Sequence, residues 1–297
     1  MTIKGVDRQK CTLCLECVKD CPAQLFSLTN GAGQEKAVKY QDPHRWCLHC
    51  GHCLSVCRSD AVLYESDQPA FTFKGIEDPA SLCGYERLLR FLQSKRSVRR
   101  YRDRDVPREV VEAVLGAMQY APTGHNLQAN RYLVITDKAK IQPIIEETAR
   151  MFSRFKTAVK HRRLFRPFVS KGMYEVMNAP GLEQGLEDLI EKCDQGQDPI
   201  FHSAPTVVVV YYPNLGELSL LDPTIALTYG MLAAHSLGLG TCWIGFAVQS
   251  LFRNKRMKRL LGIGDDMIVA GVMSLGYPAV QYHRIPPRKD LEVSWLG

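Results

Sequence analysis

The sequence predicts an α+β protein of two domains, a small cysteine-rich one followed by a larger one of mixed helices and strands. Eight of its eleven cysteines fall between Cys11 and Cys57. Beyond residue 85, apolar positions at helical spacing alternate with β-branched runs that are typical of strands. We therefore predict domains at residues 1–73 and 87–297, joined by a linker at residues 74–86.

Composition and charge are those of an ordinary globular protein. The 297 residues carry a formal net charge of +7, and a chain of this length can bury a sizeable core. The start of the sequence does not resemble a secretory segment, so we expect a cytoplasmic protein whose cysteines are reduced thiols or metal ligands. The basic excess could serve an anionic cofactor, an acidic protein or nucleic acid, or could form solvated helix faces; we expect no nucleic-acid partner. It clusters at residues 87–108, 154–171 and 253–259.

One stretch has the composition of a membrane span. Residues 223–252 contain no Asp, Glu, Lys or Arg, which exceeds the ~20 apolar residues that a spanning helix needs. However, Asp222 and Pro223 are typical of a helix start, and Gly238 and Gly240 are typical of its end. We predict a helix in a core or a subunit interface, and no membrane partner.

The larger domain shows further helix and strand patterns. A helix is predicted over residues 85–93, and another opens at Asp105 and Pro107 and closes before Pro122. Residues 150–200 are expected to be a helical insertion near the functional site. Strands are predicted at residues 131–136, 206–212 and 267–275.

The cysteines form an internal repeat. Each of two quartets has gaps of two, two and three residues, and the second follows the first by 36 positions. The spacing resembles the bacterial two-cluster ferredoxin run, in which three thiolates hold one [4Fe-4S] cubane and the fourth reaches the other. Two structural zinc sites are the alternative, although zinc leaves the repeated three-residue gap unexplained. The resemblance implies Cys11, Cys14, Cys17 and Cys57 as the first ligand set, and Cys47, Cys50, Cys53 and Cys21 as the second.

The second quartet departs from this run. Arg58 stands where a proline usually follows the last cysteine, and His49 and His52 lie between the ligands. Because a cation favours the reduced state of a nearby cluster, we expect the second cluster to have the higher potential. The remaining cysteines lack ligand spacing and are predicted to be buried or idle thiols. They are Cys83, Cys193 and Cys242.

Several cations and a hydroxyl fall within one short turn at residues 95–99. Arg offers forked donors to a phosphate and Lys a point charge, although such a run alone is more often a surface feature. Its neighbours make it specific, because residues 87–297 resemble the FMN-dependent nitroreductase family. The matching blocks are RSVR at 96–99, APTGHNLQ at 121–128, GLGTCWIG at 238–245 and PRK at 287–289.

The resemblance implies a mixed central sheet flanked by helices, and an interlocked homodimer with FMN in its interface. Lys95, Arg96, Ser97, Arg99 and Arg288 would hold the FMN phosphate and ribityl chain. Pro122, Thr123, Gly124, Asn126 and Gln128 belong to the block that would reach the flavin from the other subunit. Trp243, Ile244 and Gly245 would pass the ring, where backbone N–H groups can stabilise the reduced flavin.

Parts of these blocks have simpler interpretations or depart from the family. His125 and Asn126 could form only a polar turn, and Gly238 could be only a helix cap. Ala129 and Asn130 stand where the family commonly has proline and an aromatic residue, which could alter the shape of the substrate site. In the same block, Thr123 replaces the usual serine.

The combination predicts an oxidoreductase. It would pass electrons from a low-potential donor, an external ferredoxin or NAD(P)H, through two [4Fe-4S] clusters to FMN, and reduce a nitroaromatic, a quinone or an activated double bond. No dinucleotide fingerprint decides the donor, and no side chain is identified as a catalytic acid. A non-catalytic relay or redox sensor for a partner protein is the alternative, and enone reduction or reductive dehalogenation are alternative reactions.

Overall fold

The structure is a computed structural model that describes residues 1–30, 35–71, 78–252 and 254–297. The chain divides into two compact units. The predicted boundary at residue 73, the first part of the predicted linker and Arg253 of the third basic cluster lie outside the described residues. The N-terminal unit comprises Met1–Gly84 with Thr123–Leu127, and the C-terminal unit comprises Tyr85–Pro122 with Gln128–Gly297.

The N-terminal unit contains short strands and short helices. They are β1 (Thr2–Val6), α1 (Glu16–Asp20), β2 (Phe26–Asn30), β3 (Lys36–Tyr40), α2 (His52–Ser55) and β4 (Val62–Glu65). β1 pairs with β4 and β2 pairs with β3, both antiparallel. A short 3₁₀ helix follows at Pro79–Leu82.

The 36-residue repeat of the sequence extends to the backbone. α1 carries Cys17, and α2 carries Cys53 at the equivalent position. Three pairs of residues 36 positions apart share a positive φ, a conformation that residues other than glycine rarely adopt. They are Leu13 and His49 (56° and 51°), Leu15 and Gly51 (64° and 76°), and Gln24 and Asp60 (52° and 50°). Each quartet therefore folds into the same loop.

The core of the N-terminal unit is small and rich in cysteine. Cys17 and Cys53 are buried in it, and four further cysteines of the quartets pack against it half-buried. Few domains this small are stable by apolar burial alone, and a bound metal group adds its binding free energy to folding. The buried apolar members are Ile3, Phe26, Val38 and Val62.

The C-terminal unit is built on a four-stranded sheet of order β5-β6-β8-β7, with antiparallel neighbours. Its strands are β5 (Arg131–Ile135), β6 (Thr206–Pro213), β7 (Gly240–Trp243) and β8 (Met267–Gly276). A parallel bridge from Ser97 to Thr241 of β7 makes the pairing mixed, and the predicted α+β class is confirmed. The helices are α3 (Tyr85–Ser94), α4 (Arg108–Met118), α5 (Lys138–Lys160), α6 (Arg162–Phe165), α7 (Lys171–Met177), α8 (Leu182–Asp194), α9 (Leu218–Ser236), α10 (Gly245–Leu251) and α11 (Lys255–Leu260).

Alternate residues of β6 lie in two separate cores. Val207 and Val209 pack among residues of α5, α8 and α10. Val208 and Val210 pack among residues of α4 and α9. Helices therefore cover both faces of the sheet, which explains why this strand is an unbroken apolar run rather than an alternating one.

α9 begins earlier than the sequence predicted. Pro223 lies inside it, five residues after its first residue, Leu218. Asp222 is buried and accepts a hydrogen bond from the Tyr212 hydroxyl at 2.7 Å. The predicted start is wrong because Asp222 serves a partner on β6 rather than capping the helix, and a proline near the start removes few helical hydrogen bonds.

The predicted end of α9 is confirmed. Gly238 has φ +74°, and the Leu239 N–H donates to the Ala234 carbonyl at 2.8 Å, as in a Schellman cap. Among the described residues, no helix has the length and apolar character needed to cross a membrane.

The other predicted elements are confirmed with small shifts at their ends. The helix after Pro107 is α4, the helix over residues 85–93 is α3, and the three strands are β5, β6 and β8. Residues 150–200 are largely helical. Of the cysteines outside the quartets, Cys83 is exposed, Cys193 is half-buried and Cys242 is buried.

Candidate functional site

One cavity in the N-terminal unit gathers four cysteines. The four cysteines that line it are Cys21, Cys47, Cys50 and Cys53. These are the members predicted for the second cluster, and Cys21 comes to them from the other quartet. Their role as ligands stays a prediction.

The other four cysteines interact around Cys17. Burial raises the pKa of the Cys17 thiol, and three neighbouring thiolates raise it further. Those neighbours are Cys11, Cys57 and Cys14. Burial likewise raises the pKa of Cys53 to about 11, and the thiolates of its own set add to the effect. The pKa of each buried thiol is therefore raised by charge repulsion from the three other cysteines of its predicted set. A cationic iron core would relieve this repulsion.

The last cysteine of each quartet accepts a hydrogen bond from the backbone four residues ahead. The Leu25 N–H lies 3.4 Å from Cys21 Sγ, and the Ala61 N–H lies 3.2 Å from Cys57 Sγ. Burial acts to raise the pKa of Cys57, but hydrogen bonds from Ala61 and Ser59 outweigh it and lower the pKa. Such bonds stabilise negative charge on a ligand sulfur and tune the potential of a bound cluster.

The donor sets fit iron–sulfur clusters. All eight members are thiols, the soft ligands that such clusters require. A single zinc ion would need four ligands within about 2.3 Å of one point. Among the residues that the structure describes, no group of three or more His, Cys, Asp or Glu is arranged around one point to hold a single metal ion such as zinc.

Arg58 lies on the side of the first set. Lys19, and more weakly Arg58, lower the pKa of Glu16 at the start of α1, the helix that carries Cys17. Arg58 follows Cys57, which groups with the first set, and its expected effect on the potential of the second cluster stays a prediction.

A cavity of about 240 Å³ in the C-terminal unit is lined by two of the predicted phosphate residues, Lys95 and Arg96. No ion pair among the described residues involves either of them. Burial lowers the pKa of Lys95, and its Nζ lies 3.5 Å from Met231 Sδ, a weak acceptor. Two cations without carboxylate partners beside a cavity are suited to an anion.

Backbone contacts hold the segment that carries these cations against β7. The Val98 N–H donates to the Thr241 carbonyl at 2.9 Å, and Ser97 bridges the same residue. The Tyr101 hydroxyl donates to the Val98 carbonyl at 2.8 Å. A Cβ on Gly240 would lie 2.6 Å from a Val98 methyl group, so this close approach requires glycine.

The structure does not bring all the predicted phosphate residues together. Arg99 lines a different, open cleft with Lys138, Lys192 and His202. Arg288 lies in the exposed C-terminal stretch and does not line the Lys95 cavity. Their contact with FMN stays a prediction that rests on the sequence block alone.

The segment predicted to pass the flavin ring joins β7 to α10. Trp243 ends the strand, and Gly245 begins the helix. Ile244 is buried, and its N–H donates to the Val272 carbonyl at 2.8 Å. This backbone donor is therefore committed to the fold.

The block at residues 121–128 divides between the two units. Thr123–Leu127 belongs to the N-terminal unit, and Gly124–Asn126 forms a 3₁₀ turn. The Asn126 Nδ2 donates to the carbonyls of Leu48 and His49 at 3.2 and 2.9 Å. These contacts were not expected from the sequence, because nothing in the block indicates a partner 77 or 78 residues away.

Comparison with known families identifies both parts of the chain. Residues 92–277 match the sequence model of the Nitroreductase family. The chain belongs to the nitroreductase family. Residues 10–62 match the model of the 4Fe-4S dicluster domain. The protein is therefore a nitroreductase-family oxidoreductase with an N-terminal ferredoxin-type iron–sulfur domain.

Individual relatives agree with this assignment. A protein of Archaeoglobus fulgidus, whose name describes it as an NADH dehydrogenase/NAD(P)H nitroreductase, is 25% identical over 193 residues, 65% of this chain and 86% of its own length. A nitroreductase with bound FMN from Bacteroides fragilis is 20% identical, with a TM-score of 0.52 over 70% of this chain and 98% of its own. A second, from Desulfitobacterium hafniense, is also 20% identical, with a TM-score of 0.53 over 70% and 97%. The two structures share the fold of the C-terminal unit.

Sequence reasoning missed two residues of the cavity in this nitroreductase, His235 and Tyr282. The His235 Nε2 lies 2.8 Å from Ser94 Oγ, and its ring packs against Phe91 at a tilt of 40°, with centroids 4.9 Å apart. Burial lowers the pKa of His235, and the charge of Lys95 lowers it further. The only signal was the position of His235 just before the GLGTCWIG block at the end of α9.

Proposed function

We propose that this nitroreductase-family protein takes single electrons from a low-potential donor through two [4Fe-4S] clusters to FMN, and reduces a small organic acceptor. The acceptor class is a nitroaromatic, a quinone or an activated double bond. One observation carries the proposal: a single chain holds two separate four-cysteine groups and, on a nitroreductase fold, a cavity lined by two cations that form no ion pair with any described residue.

The C-terminal cavity supports FMN as the cofactor. Bound FMN would supply the conversion of single electrons into two-electron transfer. Lys95 and Arg96 would hold its phosphate, while Gly240 lets their segment dock on β7. The remaining members of the proposed FMN set rest on the family resemblance. They are Ser97, Arg99, Pro122, Thr123, Gly124, Asn126, Gln128, Trp243, Ile244, Gly245 and Arg288.

The exposed side of α9 supports a homodimer. Leu221, Ile225 and Tyr229 follow one another at four-residue spacing, and they are 55%, 37% and 40% exposed. Residues four apart on a helix form one stripe, and an exposed apolar stripe is typical of a surface that another protein covers. A cytoplasmic location is proposed with it, since thiols stay reduced there. The proposed domain division is residues 1–73, 74–86 and 87–297.

Anaerobic stopped-flow reduction tests the route of the electrons. Purified protein is mixed in turn with reduced ferredoxin, NADH and NADPH, and the flavin and iron–sulfur absorbance are followed separately. We expect reduced ferredoxin to reduce the clusters before the flavin, and Cys11→Ser to slow flavin reduction. Equal rates in the parent and Cys11→Ser would show that the first cluster is not on the route.

The same preparation separates an enzyme from a relay. Steady turnover of a nitroaromatic or quinone by the reduced protein supports the proposal. Oxidation by a protein partner only, with no turnover of either small acceptor, would refute it.

A further inference from the structure

The Asn126 side chain forms hydrogen bonds with the loop between two candidate ligands, Cys47 and Cys50. It lies in the N-terminal unit, and its Nδ2 donates to the Leu48 and His49 carbonyls at 3.2 and 2.9 Å. A carboxamide has two N–H donors. Both of them therefore serve consecutive peptides of this one loop.

The amide is presented by an ordered turn. Asn126 has φ +53°, a left-handed conformation that asparagine tolerates better than most residues. Its own N–H donates to the Thr123 carbonyl at 3.0 Å, which closes the turn. On the other side of the contact, His49 also has a positive φ, +51°. Both partners are thus held in defined backbone conformations.

Peptide geometry links these two bonds to the candidate cluster. In a planar trans peptide the C=O and the N–H point in opposite directions. Because the Leu48 carbonyl points towards Asn126, the His49 N–H of the same peptide points away from Asn126. The His49 carbonyl also points towards Asn126, so the Cys50 N–H points away from it as well. Leu48, His49 and Cys50 all line the cavity that contains the second set of cysteines.

We propose that Asn126 is a positioning residue for the second cluster, directing the His49 and Cys50 N–H groups towards its sulfurs. This inference rests on the proposed function, because it requires that a cluster binds there. Hydrogen bonds to the sulfurs of a cluster help to set its reduction potential, and groups that orient such donors act in the same way. The residue would therefore serve the iron–sulfur site in addition to the contact with FMN that its sequence block implies.

Asn126→Gly in the full-length, anaerobically loaded protein tests the proposal. Glycine accepts the positive φ without strain, so the change removes little more than the amide. The potentials of both clusters are measured by a redox titration followed by EPR, and Cys50→Ser identifies the signal of the second cluster. We expect a roughly tenfold shift of the one-electron equilibrium of the second cluster, about 59 mV towards lower potential. The potential of the first cluster should not change.

His125→Gly is the matched control, because it introduces the same backbone freedom one residue earlier, at φ +52°. We expect it to leave both potentials unchanged. An equal shift in the two variants, or no shift in Asn126→Gly, overturns the proposal. A weaker affinity for FMN at unchanged potentials also overturns it and assigns Asn126 to the flavin.

Asn126→Asp provides a second variant if the glycine variant does not load iron. It keeps the size of the side chain and tolerates the positive φ, but replaces both donors by acceptors that face carbonyl oxygens. It should lower the potential of the second cluster, and an unchanged potential overturns the proposal. Failure of the proposed function is seen separately, as a parent protein without two cluster signals.

Discussion

Replacing Arg96 with alanine should weaken FMN binding strongly and leave the iron content unchanged. Arg96 is half-buried, lines the 240 Å³ cavity and has no ion-pair partner among the described residues. Losing a charge-assisted hydrogen bond costs about 1.5–3 kcal/mol, which corresponds to a roughly tenfold to more than hundredfold rise in Kd. The iron sites should not respond, because the candidate ligands all lie in the N-terminal unit.

Titration of the apoprotein with FMN and with riboflavin measures the effect. Riboflavin lacks the phosphate, so its affinity should be the same in the parent and in Arg96→Ala. Arg100→Ala is the matched control, since Arg100 belongs to the same basic run but is exposed and does not line the cavity. Equal losses for FMN and riboflavin, or an equal loss in Arg100→Ala, would refute the placement of the phosphate.

Four further outcomes are expected. Protein purified without oxygen should be brown, with about eight irons per chain from two cubanes and one FMN; zinc without labile sulfide contradicts this. A chain beginning at Gly84 should fold, bind FMN and dimerise but no longer accept electrons from ferredoxin, and an unchanged rate would show that the clusters are not the entry port. Gly240→Ala should lower Tm and weaken FMN binding, since overpacking costs about 1–3 kcal/mol; Val98→Ala in the same chain should restore part of both, and no restoration would point to a different cause. Burial lowers the pKa of His235 in the folded state, so its contribution to stability is present above about pH 6.5 and is lost as the pH falls below that value. In denaturant titrations between pH 7 and 5, the free energy of unfolding of His235→Gln should therefore fall less than that of the parent. An equal fall in the two proteins contradicts the pKa shift.

The sequence predicted more of the fold than of the contacts within the sites. Unbroken apolar runs placed β6 and β8, and a helical pattern placed α4, within a few residues, because such patterns record which parts of an element are buried. The predicted start of α9 was wrong because Asp222 accepts a hydrogen bond from Tyr212, a partner that nothing in the neighbouring sequence indicates. The sequence also did not show which residues of the basic turn face the cavity. Arg96 lines it, whereas Arg99 lines a different cleft.

By itself the sequence determined the chemistry that the chain can offer: two cysteine quartets at a strict 36-residue repeat, and a basic turn whose neighbouring blocks carry a family pattern. Such features are local, since ligand spacing and residue type are set by the covalent chain. Only the tertiary structure decided that Lys95 and Arg96 share one cavity, and that the Asn126 amide binds the Cys47–Cys50 loop. These depend on contacts between residues far apart in sequence, whose partners are chosen by how the elements pack.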